Sequence, residues 1–181
     1  MTRAAAREMA ESRAGGAEVV SLCAFEVNRS HFAIDLRRVR EILRPLKITP
    51  LPSAPVHLEG LIHLRGAVVP VVDLRKRLGN PTPTGGPLDR LVVACIGRRE
   101  VGFLVDRVSG VIRLPRCDLL PAPDLWLEEG ARLFLGACRH EDAGLTLLLN
   151  LRALLSSARS VNPAAVQGAR SAGALGGVGG K

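Results

Sequence analysis

A chain of 181 residues, 47% of them hydrophobic, can bury one sizeable core, and it contains no run of eighteen apolar residues that could cross a membrane as a helix. The formal charge of +8 invites a nucleic-acid reading, but half of the excess sits at the ends: residues 1–17 carry three Arg against two Glu, and residues 156–181 carry Arg159, Arg170 and Lys181 with no acid. Aromatics make up 3% with no Tyr, which leaves few platforms on which bases could stack.

In chain order, residues 1–17 are Ala, Arg, Glu and Gly without sustained apolar periodicity, and the expectation is a disordered or frayed leader, neither a secretory signal nor an anchor. Val19 to Val27 reads as a strand, Asn28-Arg29 as a turn, and Ser30 to Leu36 as the returning arm of a hairpin. Leu36, Val39 and Leu43, with Ile42 beside them, fall at helical spacing, so a short turn or helix carrying Glu41 is expected, ended by Pro45. Pro50, Pro52 and Pro55 then make a stiff, extended connection.

It leads into the most informative stretch, His57 to Gly79. Two aliphatic arms, Gly60 to Leu64 and Ala67 to Val72, flank an Arg65-Gly66 turn. Pro70 cannot donate to a ladder, which places it at an edge or bulge. Asp73 can cap a helical turn over Leu74 to Leu78, and Gly79 can end it in a left-handed conformation.

The segment at 80–87, Asn-Pro-Thr-Pro-Thr-Gly-Gly-Pro, is too rich in breakers for regular structure and divides the chain. The second half repeats the first in outline. Leu91 to Ile96 and Glu100 to Val105 form a hairpin, and Val108 and Val111 repeat the spacing of Val39 and Ile42. Gly136-Ala137-Cys138, a turn near Glu141-Asp142, Leu145 to Leu149 and Asn150-Leu151-Arg152 then match the first half's strand, cap and Leu-Arg turn. Many short strands without long helices favour an all-β protein of two similar small barrels. The halves are expected at about 18–79 and 88–155, with exchange of elements at their ends possible, and residues 156–181 form an Ala/Gly/Ser-rich tail expected to be disordered.

Chemistry finds little purchase. Cys23, Cys95, Cys117 and Cys138 lie far apart and read as free thiols, three of them on strands. Asp35, Asp73 and Asp106 stand at strand ends, where capping accounts for them. His57 and His63 have no third ligand for a metal. No nucleophile elbow, phosphate loop or dinucleotide fingerprint appears, and His140 beside Glu141 falls on a turn rather than a helical bundle. No catalytic residue, cofactor or metal is expected.

The order Gly60, Leu64-Arg65-Gly66 and Val69-Pro70-Val71-Val72-Asp73-Leu74-Arg75 resembles the signature of CheW-type chemotaxis coupling proteins. Phe32-Ala33-Ile34, Val39 to Leu43, Ile48 to Pro52, Val101 to Asp106 and Pro121-Ala122-Pro123 extend the resemblance over residues 18–155, with His63 where the family usually has Asn. The resemblance implies two five-stranded SH3-like barrels with short capping helices. It also implies a non-catalytic cytoplasmic adaptor between chemoreceptor tips and the regulatory domain of a CheA-type histidine kinase, recruited to membrane-bound arrays without inserting in the bilayer. It places receptor contacts at Val39, Glu41, Ile42, Gly60, Leu61 and Arg65, with Glu41 and Arg65 bordering a groove. The competing expectation is a nucleic-acid-binding small barrel.

Overall fold

The computed structural model describes residues 18–79, 86, 89–122, 133–140 and 144–155. The expected leader and tail, most of the 80–87 loop and the Glu141-Asp142 turn lie outside the described residues.

The hairpins form where β-branched and aliphatic runs meet turn residues. β1 (Val19–Val27) and β2 (Ser30–Asp35) pair antiparallel across Asn28 and Arg29, both at positive φ (51° and 63°). β4 (Leu58–Leu64) and β5 (Ala67–Asp73) pair across Arg65 and Gly66, at 51° and 84°. β6 (Arg90–Ile96) with β7 (Arg99–Val105), and β10 (Phe134–His140) with β11 (Gly144–Leu149), complete the four hairpins. Single strands β3 (Val39–Leu43) and β8 (Arg107–Pro115), and the two-residue β9 (Leu120–Pro121), make up the rest. Two one-turn helices, α1 (Leu74–Arg77) and α2 (Leu151–Leu154), follow β5 and β11.

One expectation fails locally. Residues 36–38 form a 3₁₀ turn, and Glu41 lies on strand β3 rather than on a helix. The side chains at 39, 42 and 43 look helical because β3 carries a bulge: Val39 stands opposite Ala94 and Glu41 opposite Val93, leaving Arg40 as the extra residue. That extra residue breaks the alternation by which a strand is recognised.

The strands assemble into two sheets, ordered β8-β1-β2-β11-β10-β9 and β3-β6-β7-β5-β4. The first has six strands where five were expected, the sixth being the short β9. Neither sheet coincides with a half of the chain. The β1–β2 hairpin completes the sheet of β8 to β11, and the β6–β7 hairpin completes the sheet of β3 to β5, a reciprocal exchange across the 80–88 divide. Each donated hairpin docks by a parallel pairing, β2 on β11 and β7 on β5. Pro70, expected at an edge or bulge, lies instead on an interior strand flanked by β4 and β7, where it is tolerated because pairing with β7 begins only at Val71.

In each sheet the chain that leaves one edge strand returns to the opposite edge. After β3, the chain reaches the far edge, where Thr49 and Leu61 exchange backbone bonds of 2.8 and 2.9 Å. After β8, it returns at the opposite edge as β9 on β10. A glycine receives each closing segment: a Cβ on Gly60 would lie 2.1 Å from the Thr49 carbonyl oxygen, and one on Gly136 2.3 Å from that of Leu120. We therefore describe two small, partly open barrels.

Three apolar clusters follow. Ile62, Val69, Val71, Leu91, Val93 and Leu104 fill the five-stranded barrel. Smaller residues, among them Ala24, Ala33 and Cys138, fill the six-stranded one with Leu22, Ile112 and Leu114. The largest cluster is the seam between them, where Phe25, Phe32 and Ile34 meet Val72, Leu74, Val92 and Phe103, with Leu149 and Leu154. The cysteines are free, and burial pushes the thiols of Cys23 and Cys138 up.

Candidate functional site

Arg65 stands at the tip of the β4–β5 hairpin, held outward by a left-handed turn. Its Nη2 donates to Glu41 Oε2 at 2.9 Å. Since β3 and β4 are opposite edges of their sheet, this bond spans the open mouth of the five-stranded barrel. The β3 bulge makes it possible, because it turns Glu41 to the face shared by Val93 and Leu91, the barrel interior. A second pair, Arg40 Nε to Glu100 Oε1 at 3.3 Å, stands beside the first. Arg40, Glu41, Leu64, Arg65, Ala67 and Glu100 line a cleft of about 410 Å³ at this mouth. The Arg65 side chain is 79% exposed and Glu41 only 18%, so the guanidinium is the part a partner would meet.

The other anticipated contact residues divide. Ile42 is 42% exposed on the outer face of β3. Val39 is half-buried on the opposite face from Glu41 and packs against the seam. Leu61 is half-buried and bonded to Thr49, and Gly60 is buried beneath the Thr49 carbonyl, where it offers backbone room rather than a contact surface. The cleft is thus more polar than one lined by Val39, Ile42 and Leu61.

What the sequence reading missed is a buried ionic centre at the base of the β6–β7 hairpin. Asp73 caps α1 as expected, accepting from the Arg75 N–H at 2.8 Å. Arg75 then folds inward: Nε donates to Asp73 at 3.1 Å, and Nη1 to Asp89 at 3.2 Å and to Asp106 at 2.9 Å. Asp106 caps no helix; its other oxygen accepts the Asn28 N–H at 2.6 Å. Burial pushes the Asp73 carboxyl up, and the Arg75 guanidinium opposes the rise. Arg77, equally buried, donates to the carbonyls of Leu154 at 2.9 Å and Ala153 at 3.1 Å.

A signal for this centre was present. Asx-Leu-Arg occurs at Asp35, Asp73 and Asn150, and each Asx side chain accepts from the N–H two residues on. The recurrence identifies three equivalent turns, though not which of their arginines is buried. Around the first and third lies a wider groove of about 550 Å³, with Arg37, Arg38, Arg116 and Arg152 about leucines 119, 120, 135 and 148. Among the described residues no three His, Cys, Asp or Glu side chains gather as a metal site.

Residues 21–159 match the family model of the CheW-like domain. The chain is 39% identical over 111 residues to the chemotaxis protein CheW of Rhizobium meliloti, covering 61% of this chain and 70% of that one. It is 35% identical over 136 residues to the protein FrzA of Myxococcus xanthus, covering 75% and 84%. Its fold is that of the scaffolding protein TtCheW from Thermoanaerobacter tengcongensis, with a TM-score of 0.71 over 80% of this chain and 98% of that chain at 23% identity.

Proposed function

Because the chain belongs to the CheW-like domain family, we propose that it is a coupling adaptor of chemosensory signalling that links chemoreceptor cytoplasmic tips to a CheA-type histidine kinase, and that the mouth of the five-stranded barrel faces the receptor. The observation that carries the placement is the Arg65–Glu41 pair, which presents a largely exposed guanidinium above a mostly covered carboxylate, with the exposed Ile42 next along β3 on its other face. Arg can hold a carboxylate or amide in a fixed fork, so such a pair orients an incoming helical hairpin. Attraction comes from apolar surface removed from water, about 25 cal/mol per Å². The kinase's regulatory domain, built like the adaptor, joins it barrel to barrel through another face. Signal passes as a shift in the populations of bound states, with no chemistry in this chain. The adaptor acts in the cytoplasm, held at membrane-bound arrays by its partners; among the described residues no helix is long and apolar enough to cross a membrane.

A nucleic-acid function lacks support: all four Phe are buried, which removes them as stacking platforms.

Arg65→Ala should fold as the parent does, losing at most about 1 kcal/mol because an exposed ion pair contributes little. Receptor-stimulated kinase activity, reconstituted from a receptor tip fragment, a CheA-type kinase and the variant, should fall several-fold. Ile42→Asp should lower it further by putting an unpaired charge where the receptor must exclude water. Val39→Asp is a poorer test than sequence alone indicates, since Val39 packs on the seam and the variant would also melt earlier. Parental stimulation by folded Arg65→Ala and Ile42→Asp would move the receptor site elsewhere.

A further inference from the structure

We propose that α1 fixes the angle between the two barrels, with Arg77 as its positioning residue, and that the coupled signal depends on this angle more than on either binding face. The second clause rests on the adaptor reading; the first does not.

Counted from their caps, Asp73 and Asn150, the residues Arg77 and Leu154 are equivalent members of the two repeats. Arg77 donates to the carbonyl of Leu154, its own counterpart, and to Ala153 beside it. The bond therefore joins equivalent turns of the two repeats. The side chain is 1% exposed. Burial holds its pKa below the usual guanidinium value. A buried cation of this kind adds little stability over an apolar side chain of similar volume, since its desolvation offsets what it gains. What the guanidinium supplies and a hydrocarbon does not is direction: two donors in a rigid plane accept only one orientation of the last turn of α2.

A second link leaves the same helical turn. Arg75 holds Asp106, where the chain crosses from one barrel to the other, and Asp106 accepts from Asn28 at the tip of the β1–β2 hairpin. One turn of helix in the five-stranded barrel thus grips the six-stranded barrel at its terminal helix and at its hairpin tip. The aliphatic and aromatic side chains that fill the seam between them make non-directional contacts, which permit small rotations. Two separated polar attachments remove that freedom.

The test is Arg77→Met, which keeps length and apolar packing and removes the fork. Residual dipolar couplings measured on the whole chain in a weakly aligning phage medium report each barrel's internal geometry and the relative orientation of the two. The expected result is unchanged couplings within each barrel and a broadened or shifted inter-barrel orientation. In reconstituted assays the affinity for a receptor tip fragment and for a CheA-type kinase should stay within two-fold of the parent, while receptor-dependent stimulation drops at least five-fold. Arg77→Lys, which restores the charge without the fork, should leave the orientation broadened and decides the question if the Met variant fails to fold. A parental orientation in the folded variants would overturn the joint. A broadened orientation with parental stimulation would overturn its role in signalling. Failure of the parent protein to support any receptor-dependent stimulation would count against the adaptor reading and leave the orientation result standing.

Discussion

Arg75→Leu should cost about 3–5 kcal/mol of folding stability at pH 7, read from urea unfolding with an unchanged denaturant slope. The substitution takes from Asp73 and Asp89, both buried, and from the partly covered Asp106 the guanidinium they share. Restoring the apolar packing of the stem does not compensate three carboxylates that have left water. The pH dependence carries a definite sign. Without Arg75 nothing opposes the effect of burial on Asp73, whose folded-state pKa then stands further above its unfolded value. Such a group stabilises the fold below about pH 4, the unfolded value, and loses that contribution as pH rises through the folded one. The deficit of the variant should therefore shrink in acid. Asp73→Asn separates the charge from the cap: its carbonyl can still accept the Arg75 N–H, and two carboxylates still face the guanidinium, so its cost should stay near 1 kcal/mol. A loss below 1 kcal/mol for Arg75→Leu would mean that the centre contributes nothing as an ionic unit.

Gly60→Ala should be comparably damaging, on the order of 4 kcal/mol, although it adds one methyl group. At φ 145° no side chain is comfortable, and the new Cβ would meet the Thr49 carbonyl carbon and oxygen and the Ile48 side chain within 3 Å. Relief requires Thr49 to withdraw, which breaks both of its bonds to Leu61 and frees the edge that closes the barrel. Gly66→Ala is the control. Its φ of 84° is strained as well, but nothing lies within 4 Å of its Cβ, so only about 1 kcal/mol should be lost. Equal melting of the two variants would show that backbone strain alone, and not barrel closure, fixes the glycine at position 60.

The four hairpins were legible because their information is local: runs of β-branched residues and a turn of the right chemistry suffice to define them. The 36–43 segment was misread because one inserted residue, Arg40, shifts the alternation, and a bulge leaves no mark of its own in composition. Of the ionic centre only the recurring Asx-Leu-Arg turn was legible, for a different reason. In Leu-Arg-Lys-Arg every cation looks solvated, and what buries Arg75 is the arrival of Asp89 and Asp106, 14 and 31 residues later. The Arg65–Glu41 pair bridges 24 residues and opposite sheet edges; family resemblance pointed to it, and no spacing rule would have.

The exchange of hairpins makes the two barrels mutually dependent. A fragment ending at Gly79 would hold β3 to β5 without the β6–β7 hairpin that joins them, and a surplus β1–β2 hairpin with nothing to complete. The fragment from Asp89 onward has the opposite shortage and the opposite surplus. Cut between these points, the gene would yield two polypeptides that are each unfinished alone and share one set of mutual requirements. Expressed together they have the makings of a split protein, whose reassembly would report that its two pieces have met.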